Sequence, residues 1–121
     1  MSKEILIVDD SPSIRQMVEV TLKSAGHNIT VAVDGQNAFE ICQTREFDFV
    51  LTDVNMPNMD GITLVKSLRG LSNFAKTPII MLTTEAGSDM KTKGKEAGAT
   101  GWMVKPFDPA KLLQVVAKVL G

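Results

Sequence analysis

Five times along the chain a short aliphatic run gives way to a stretch whose apolar residues recur at helical spacing. No other feature limits the possible folds as much. The first run is Glu4 to Val8. Ser11-Pro12 then reads as a helix start, with Ser11 as N-cap and Pro12 in the first helical position. Ile14, Met17, Val18, Thr21, Leu22 and Ala25 fall on one helical face, and Gly26 supplies the stop. Ile29–Val33 is β-branched and short, as strands are. Gly35 to Arg45 reads as a second helix burying Ala38, Ile41 and Cys42. Phe47 to Leu51 forms a third strand that ends at Asp53.

Asn55-Met56-Pro57-Asn58-Met59-Asp60-Gly61 is a loop of turn formers. A third helix follows, carrying Ile62, Leu64, Val65 and Leu68. Pro78 opens a fourth strand, Ile79 to Leu82, that ends at Thr83. Glu85 to Gly98 is a poor helix with little apolar content. Thr100–Val104 is a fifth strand, stopped by Lys105-Pro106. The last helix starts near Asp108-Pro109 and runs through Leu112, Leu113, Val116, Val119 and Leu120.

Strands and helices alternating at these lengths predict an α/β fold: a parallel sheet with helices on both faces, because parallel neighbours require crossover connections. The 121 residues fit one domain, expected to span 1–121. A chain of this size buries roughly two-thirds of its unfolded surface, enough for a core without staples. Basic and acidic residues number 13 and 14, which disfavours a nonspecific nucleic-acid binder. Cys42 is the only cysteine, so no internal disulfide can form. The N-terminus reads as no signal peptide, and no apolar run approaches the ~18 residues of a membrane span. A cytoplasmic, monomeric protein without membrane attachment is expected.

Ligands of open α/β sheets bind at the carboxyl ends of the strands. There the chain carries Asp9-Asp10, Asp53, Thr83 and Lys105. Three carboxylates and one ammonium leave two negative charges, and a divalent cation would bring the group to neutrality. Without one, repulsion should raise at least one carboxyl pKa. Mg²⁺ suits a site of few carboxylates and several waters. A single aspartate after a strand is commonly only a helix cap, but capping does not account for the whole set at four strand ends.

This constellation, Asp9-Asp10, Asp53, Thr83 and Lys105-Pro106, resembles the receiver domain of bacterial two-component response regulators across essentially the whole chain. The loop 55–61 resembles the single-domain chemotaxis, or CheY-like, type. The resemblance implies a flavodoxin-like, doubly wound sheet of five parallel strands in order 2-1-3-4-5 with five helices. It implies that Asp53 accepts a phosphoryl group from a CheA-like sensor histidine kinase. It places Mg²⁺ on Asp10, Asp53 and the backbone carbonyl of Asn55, with Asp9 acting through water. Lys105 and Thr83 would hold phosphoryl oxygens, and the peptide before Pro106 would be cis. His27 is expected in a solvated turn, and Cys42 in the core.

The resemblance also makes Thr83 and Trp102 the switch, and Asn55 and Glu85 the positions that tune attack of water on the aspartyl phosphate. Trp102 replaces the family's usual Tyr or Phe, and Thr84 its usual Ala. Charge-assisted hydrogen bonds contribute about 1.5–3 kcal/mol each. Two new ones, from Thr83 and Lys105, would approach the ~5.5 kcal/mol that a near-complete population shift needs. With no effector domain after Gly121, output is expected through docking at the fourth helix, fifth strand and fifth helix, beside Lys91, Lys93 and Lys95. Targets consistent with this are the flagellar motor switch, a non-flagellar chemosensory pathway, or use as a phosphate sink. An aspartyl-phosphate phosphatase would want a second acid where Asn55 stands. An FMN carrier would want a phosphate cradle where Asp9-Asp10 would repel it. The chain is expected to act only on its own phosphoryl group, not as a conventional enzyme.

Overall fold

The computed structural model describes residues 3–84 and 88–120. The elements are β1 (Glu4–Val8), α1 (Pro12–Ser24), β2 (Asn28–Ala32), α2 (Gly35–Cys42), β3 (Phe49–Asp53), α3 (Gly61–Arg69), β4 (Ile79–Thr83), α4 (Ser88–Ala97), β5 (Gly101–Val104) and α5 (Pro109–Leu120). A single 3-10 turn at Ser72–Phe74 precedes β4. All strand pairs are parallel, in the order β2-β1-β3-β4-β5. The expected flavodoxin-like sheet with five helices is therefore what the chain forms.

Alternation along each strand divides the core in two. Leu6, Val8, Val50, Ile79 and Met81 pack with Ala38, Leu64, Leu68 and Ala97 beneath α2, α3 and α4. Ile5, Ile7, Phe49, Leu51, Ile80 and Leu82 pack with Val18, Leu22, Leu112 and Val116 beneath α1 and α5. The strands look continuously apolar because both faces are covered. Each fully buried Leu, Ile, Val, Phe or Met side chain among these contributes about 1.5–3 kcal/mol.

The α1 cap forms as expected: Ser11 Oγ accepts from the backbone N–H of Ile14, and Pro12 follows in the first helical position. Ala25 does not extend the buried face; it is the exposed C-cap, and Gly26 follows with φ of 93°. The second helix stops at Cys42 instead of reaching Arg45. Thr44 and Arg45 both donate to the Ile41 carbonyl in a closing turn. The Arg45 guanidinium then lies 5.0 Å over the Phe47 ring and bonds Thr30 Oγ1. Ile41 is half-buried.

The third strand starts at Phe49, not Phe47, because Asp48 is drawn to the start of β1: it donates to the Glu4 carbonyl at 2.7 Å, and its carboxylate accepts from the Glu4 N–H at 2.8 Å. The second and fifth strands shift by a residue or less at their ends. His27 is not freely solvated; it is half-buried, and Nδ1 accepts from the Lys3 N–H at 3.3 Å. Cys42 is in the core, and burial pushes its thiol up to about 12. Among the described residues no helix is long and apolar enough to cross a membrane.

Strand order reverses direction between β1 and β3, with β2 on one side of β1 and β4 and β5 beyond β3. The crevice of such a sheet opens there, past the carboxyl ends of the strands.

Candidate functional site

Register brings the strand ends level: Val8 lies beside Thr52, Asp53 beside Leu82, and Thr83 beside Val104. Asp9 directly follows β1 and is fully buried, while Asp10 is exposed at the rim. Oxygens of Asp9, Asp10 and Asp53 lie within 4.8 Å of one another. Lys105 reaches in from the end of β5, its Nζ 3.0 Å from Asp9 Oδ2 and 3.3 Å from Asp53 Oδ1. Its backbone N–H donates to the Thr83 carbonyl at 2.8 Å, and the Lys105–Pro106 peptide is cis. Thr83 is buried as well.

Asp9 and Asp53 are each fixed from their own chain segment. Asp9 Oδ1 accepts from the Ser11 N–H at 2.9 Å. The Asp9 carbonyl accepts from Arg15 at 2.7 Å, tying the strand end to the first turn of α1. Asp53 Oδ1 accepts from the Val54 N–H at 2.9 Å. Burial raises the Asp53 pKa and the neighbouring Asp9 charge raises it further; Lys105 and the Val54 N–H offset this only in part. For Lys105, burial alone would lower the pKa, but its bonds and charge interactions with Asp9 and Asp53 outweigh it and the net direction is upward.

Gly61 lets the helix that follows the loop start against this strand end. A Cβ there would run into the Asp53 carbonyl oxygen and come within 2.9 Å of Val54 Cα. Backbone on both sides has little freedom to yield. Gly61→Ala is therefore expected to destabilise by about 1–3 kcal/mol, as overpacking does, although alanine normally favours a helix. Denaturant unfolding checks this, and a variant as stable as the wild type would contradict it.

The crevice thus unites Asp9, Asp10, Asp53 and Lys105, with Thr83 buried at the end of the strand beside Asp53. Asn55 is exposed on the loop just beyond Asp53, and Thr84 is exposed beside Thr83. Glu85 lies outside the described residues. Trp102 stands away from the carboxylates on β5, 39% exposed, with Lys91 Nζ of α4 5.1 Å from its ring centroid. Three hard oxygen donors around one ammonium suit a divalent cation of the Mg²⁺ type.

Sequence reasoning missed the Arg15 tie and the stacking of Lys91 on Trp102. It also passed over Asp34, which follows β2 and faces the loop carrying Asn55. The signal was present, since Asp34-Gly35 is itself an aspartate-glycine pair just past a strand.

Comparison with known proteins agrees with this geometry. Residues 5–117 match the response regulator receiver domain. Chemotaxis protein CheY-3 of Vibrio cholerae is 39% identical over 117 residues, covering 96% of this chain and 90% of that protein. The structure of the chemotaxis response regulator CheY4 of Vibrio cholerae superposes with a TM-score of 0.96 at 48% identity, covering 99% of this chain and 100% of that one. The receiver domain of the sensor histidine kinase PA1611 from Pseudomonas aeruginosa PAO1, with a magnesium ion coordinated in its active-site cleft, gives 0.92 at 30% identity, covering 100% of this chain and 99% of that one. With sheet order, crevice and sequence in agreement over nearly its whole length, the chain belongs to the response regulator receiver family, as a homologue of the single-domain chemotaxis regulators.

Proposed function

We propose that this receiver is a phospho-accepting switch that takes a phosphoryl group onto Asp53 from a CheA-like histidine kinase in a chemosensory pathway. The observation that carries this is Lys105 set between buried Asp9 and Asp53, with the three carboxylates gathered at the sheet's edge. The magnesium ion held by the Pseudomonas aeruginosa receiver supports the same ion here. Asp10, Asp53 and the Asn55 carbonyl would hold it, with Asp9 through water. When bound, Mg²⁺ neutralises the carboxylates and the oxygens of the group in transfer.

Asp53 Oδ1 is committed to Val54 and Lys105, so Oδ2 is assigned as the nucleophile. It forms a bond to phosphorus as the bond to the imidazole nitrogen of a phosphohistidine breaks, and the imidazole leaves with the electron pair. The chemistry is directed at the chain itself, so the protein serves as a signalling element and not a conventional enzyme. Output would come from the face of α4, β5 and α5, where Trp102 lies under Lys91, with a cytoplasmic target such as the flagellar motor switch.

The structure revises one part of the switching energetics. Lys105 already holds two carboxylates, and Thr83 is also engaged in the resting state. For Lys105, phosphorylation therefore exchanges contacts instead of adding them, and less free energy is available than two new bonds of about 1.5–3 kcal/mol would give. Neither contact is expendable under that condition.

Incubation with Mg²⁺ and acetyl phosphate, or with beryllofluoride, tests the reading, with Trp102 fluorescence and incorporated label as readouts. Trp102 is the only tryptophan. Label on Asp53 and a fluorescence change are expected. Thr83→Ala should still take label while its fluorescence response largely disappears. A wild-type chain that accepts no label from any donor would end the proposal, and a full response in Thr83→Ala would remove Thr83 from the switch.

A further inference from the structure

Asp34 takes no part in the chemistry above, yet it is only 8% exposed. Its Oδ1 accepts from the Asn37 N–H at 2.8 Å, the N-cap bond of α2. Its Oδ2 serves a different partner, accepting from Nδ2 of Asn58 at 2.7 Å across 24 residues of chain. The next residue, Gly35, donates its N–H to the Met59 carbonyl at 3.2 Å. A Cβ on Gly35 would strike that same carbonyl oxygen. Asn58 has φ of 68°, a left-handed conformation that asparagine tolerates. The start of α2 thus grips two successive residues of the loop after β3.

The other end of that loop is tied to the sheet. Val54 donates to the Leu82 carbonyl at 3.2 Å, and Gly61 donates to the Val54 carbonyl at 2.8 Å. Asn55 lies between the two anchored ends. A carbonyl ligand on an unanchored loop would have to be ordered each time a cation bound, which lowers affinity; prior anchoring removes that cost.

We propose that Asp34, acting through Asn58, is a positioning residue for the divalent-cation site, holding the main chain at Asn55 where a cation on Asp10 and Asp53 requires it. This rests on the reading of the crevice as a Mg²⁺ site.

The test is calorimetric titration of Mg²⁺ into the full chain, with amide hydrogen exchange over residues 54–60 and thermal melts, both in EDTA. Asn58→Gly keeps the left-handed φ accessible and leaves the helix cap intact. It should weaken Mg²⁺ binding on the order of tenfold, the scale seen when groups orienting metal ligands are removed. It should also speed exchange across the loop, and the EDTA melt should move little. Asp34→Asn keeps an acceptor for Asn37 and can pair with a flipped Asn58 amide, so its affinity should stay near wild type. Unchanged Mg²⁺ affinity in Asn58→Gly, or a loss of affinity without faster loop exchange, would reduce Asp34 to a helix cap. A wild-type chain that binds no Mg²⁺ would overturn the crevice reading itself, and the wild-type titration separates that failure from the failure of the clamp.

Discussion

Asp53→Asn is expected to bring phosphoryl incorporation down to background and, in the metal-free protein at neutral pH, to raise the melting temperature. The first effect follows from losing the nucleophile, since an amide does not form the aspartyl phosphate. The second follows from the raised pKa of Asp53, caused first by burial and then by Asp9. A carboxyl that binds its proton more readily folded than unfolded adds its full stability below its ordinary value of 3.8. That stability is lost as pH rises through the folded value, and above it the ionised group is a burden on the fold. Asparagine removes the charge and keeps an oxygen for the Val54 N–H and Lys105. The variant should therefore melt a few degrees higher than wild type in EDTA at pH 7, with the difference vanishing below the ordinary carboxyl range, where both side chains are neutral.

Added Mg²⁺ should reverse the order. A ligand stabilises the state that binds it, and the wild type keeps the carboxylate the ion needs. Melts in EDTA and in excess Mg²⁺, at acid and neutral pH, give the comparison. If the variant melts lower than wild type in EDTA at pH 7, then Asp53 is held by its partners more strongly than burial and Asp9 oppose it, and the electrostatic description of the crevice fails. Functional groups that cost the fold stability are common, and the pH dependence distinguishes that origin from a change in packing.

What the sequence made legible has a physical pattern. Runs such as Ile5–Val8 and Ile79–Leu82 are apolar at every position because helices cover both faces, and that is a local property of the chain. The alternation then dictated where the strands end, and so which residues share the crevice. Element boundaries followed less well, because distant partners decide them. Asp48 is taken by Glu4, and Arg45 by Phe47 and Thr30. Likewise, Asp10 and Asp53 stand out as carboxylates at strand ends, whereas the pairing of Asp34 with Asn58 depends on how a loop folds against a helix start. The stacking of Lys91 on Trp102 depends in turn on how α4 lies over β5. Charge arithmetic anticipated a raised carboxyl pKa; it did not anticipate that Asp9 would be the fully buried member and Asp10 the exposed one.

Lys105→Met should cause the largest loss of stability among substitutions in the crevice, opposite in sign to Asp53→Asn. The side chains are of similar length, so the change is chiefly the removal of the ammonium. Asp9 is fully buried, and without Lys105 its carboxylate keeps the Ser11 N–H but, among the described residues, no ion-pair partner. Breaking a buried pair from one side costs about 3–5 kcal/mol because the other charge stays behind. A domain of this size has only about 5–15 kcal/mol in total, so the melting temperature in EDTA at pH 7 should fall on the order of 10–20 °C. The pH dependence also changes. Lys105 opposes the rise in the Asp53 pKa, so its removal pushes that pKa higher still, and the variant should gain stability relative to wild type as the solution is acidified from neutrality. Excess Mg²⁺ should recover part of the loss by restoring a cation among the three carboxylates. Circular-dichroism melts over pH and Mg²⁺ concentration check each statement, and a variant melting within a few degrees of wild type in EDTA would contradict the pairing. The Lys105 contacts that hold the resting crevice together are the ones a phosphoryl oxygen on Asp53 must compete for, so the variant's loss of stability gauges the strength of the resting contacts against which the switch works.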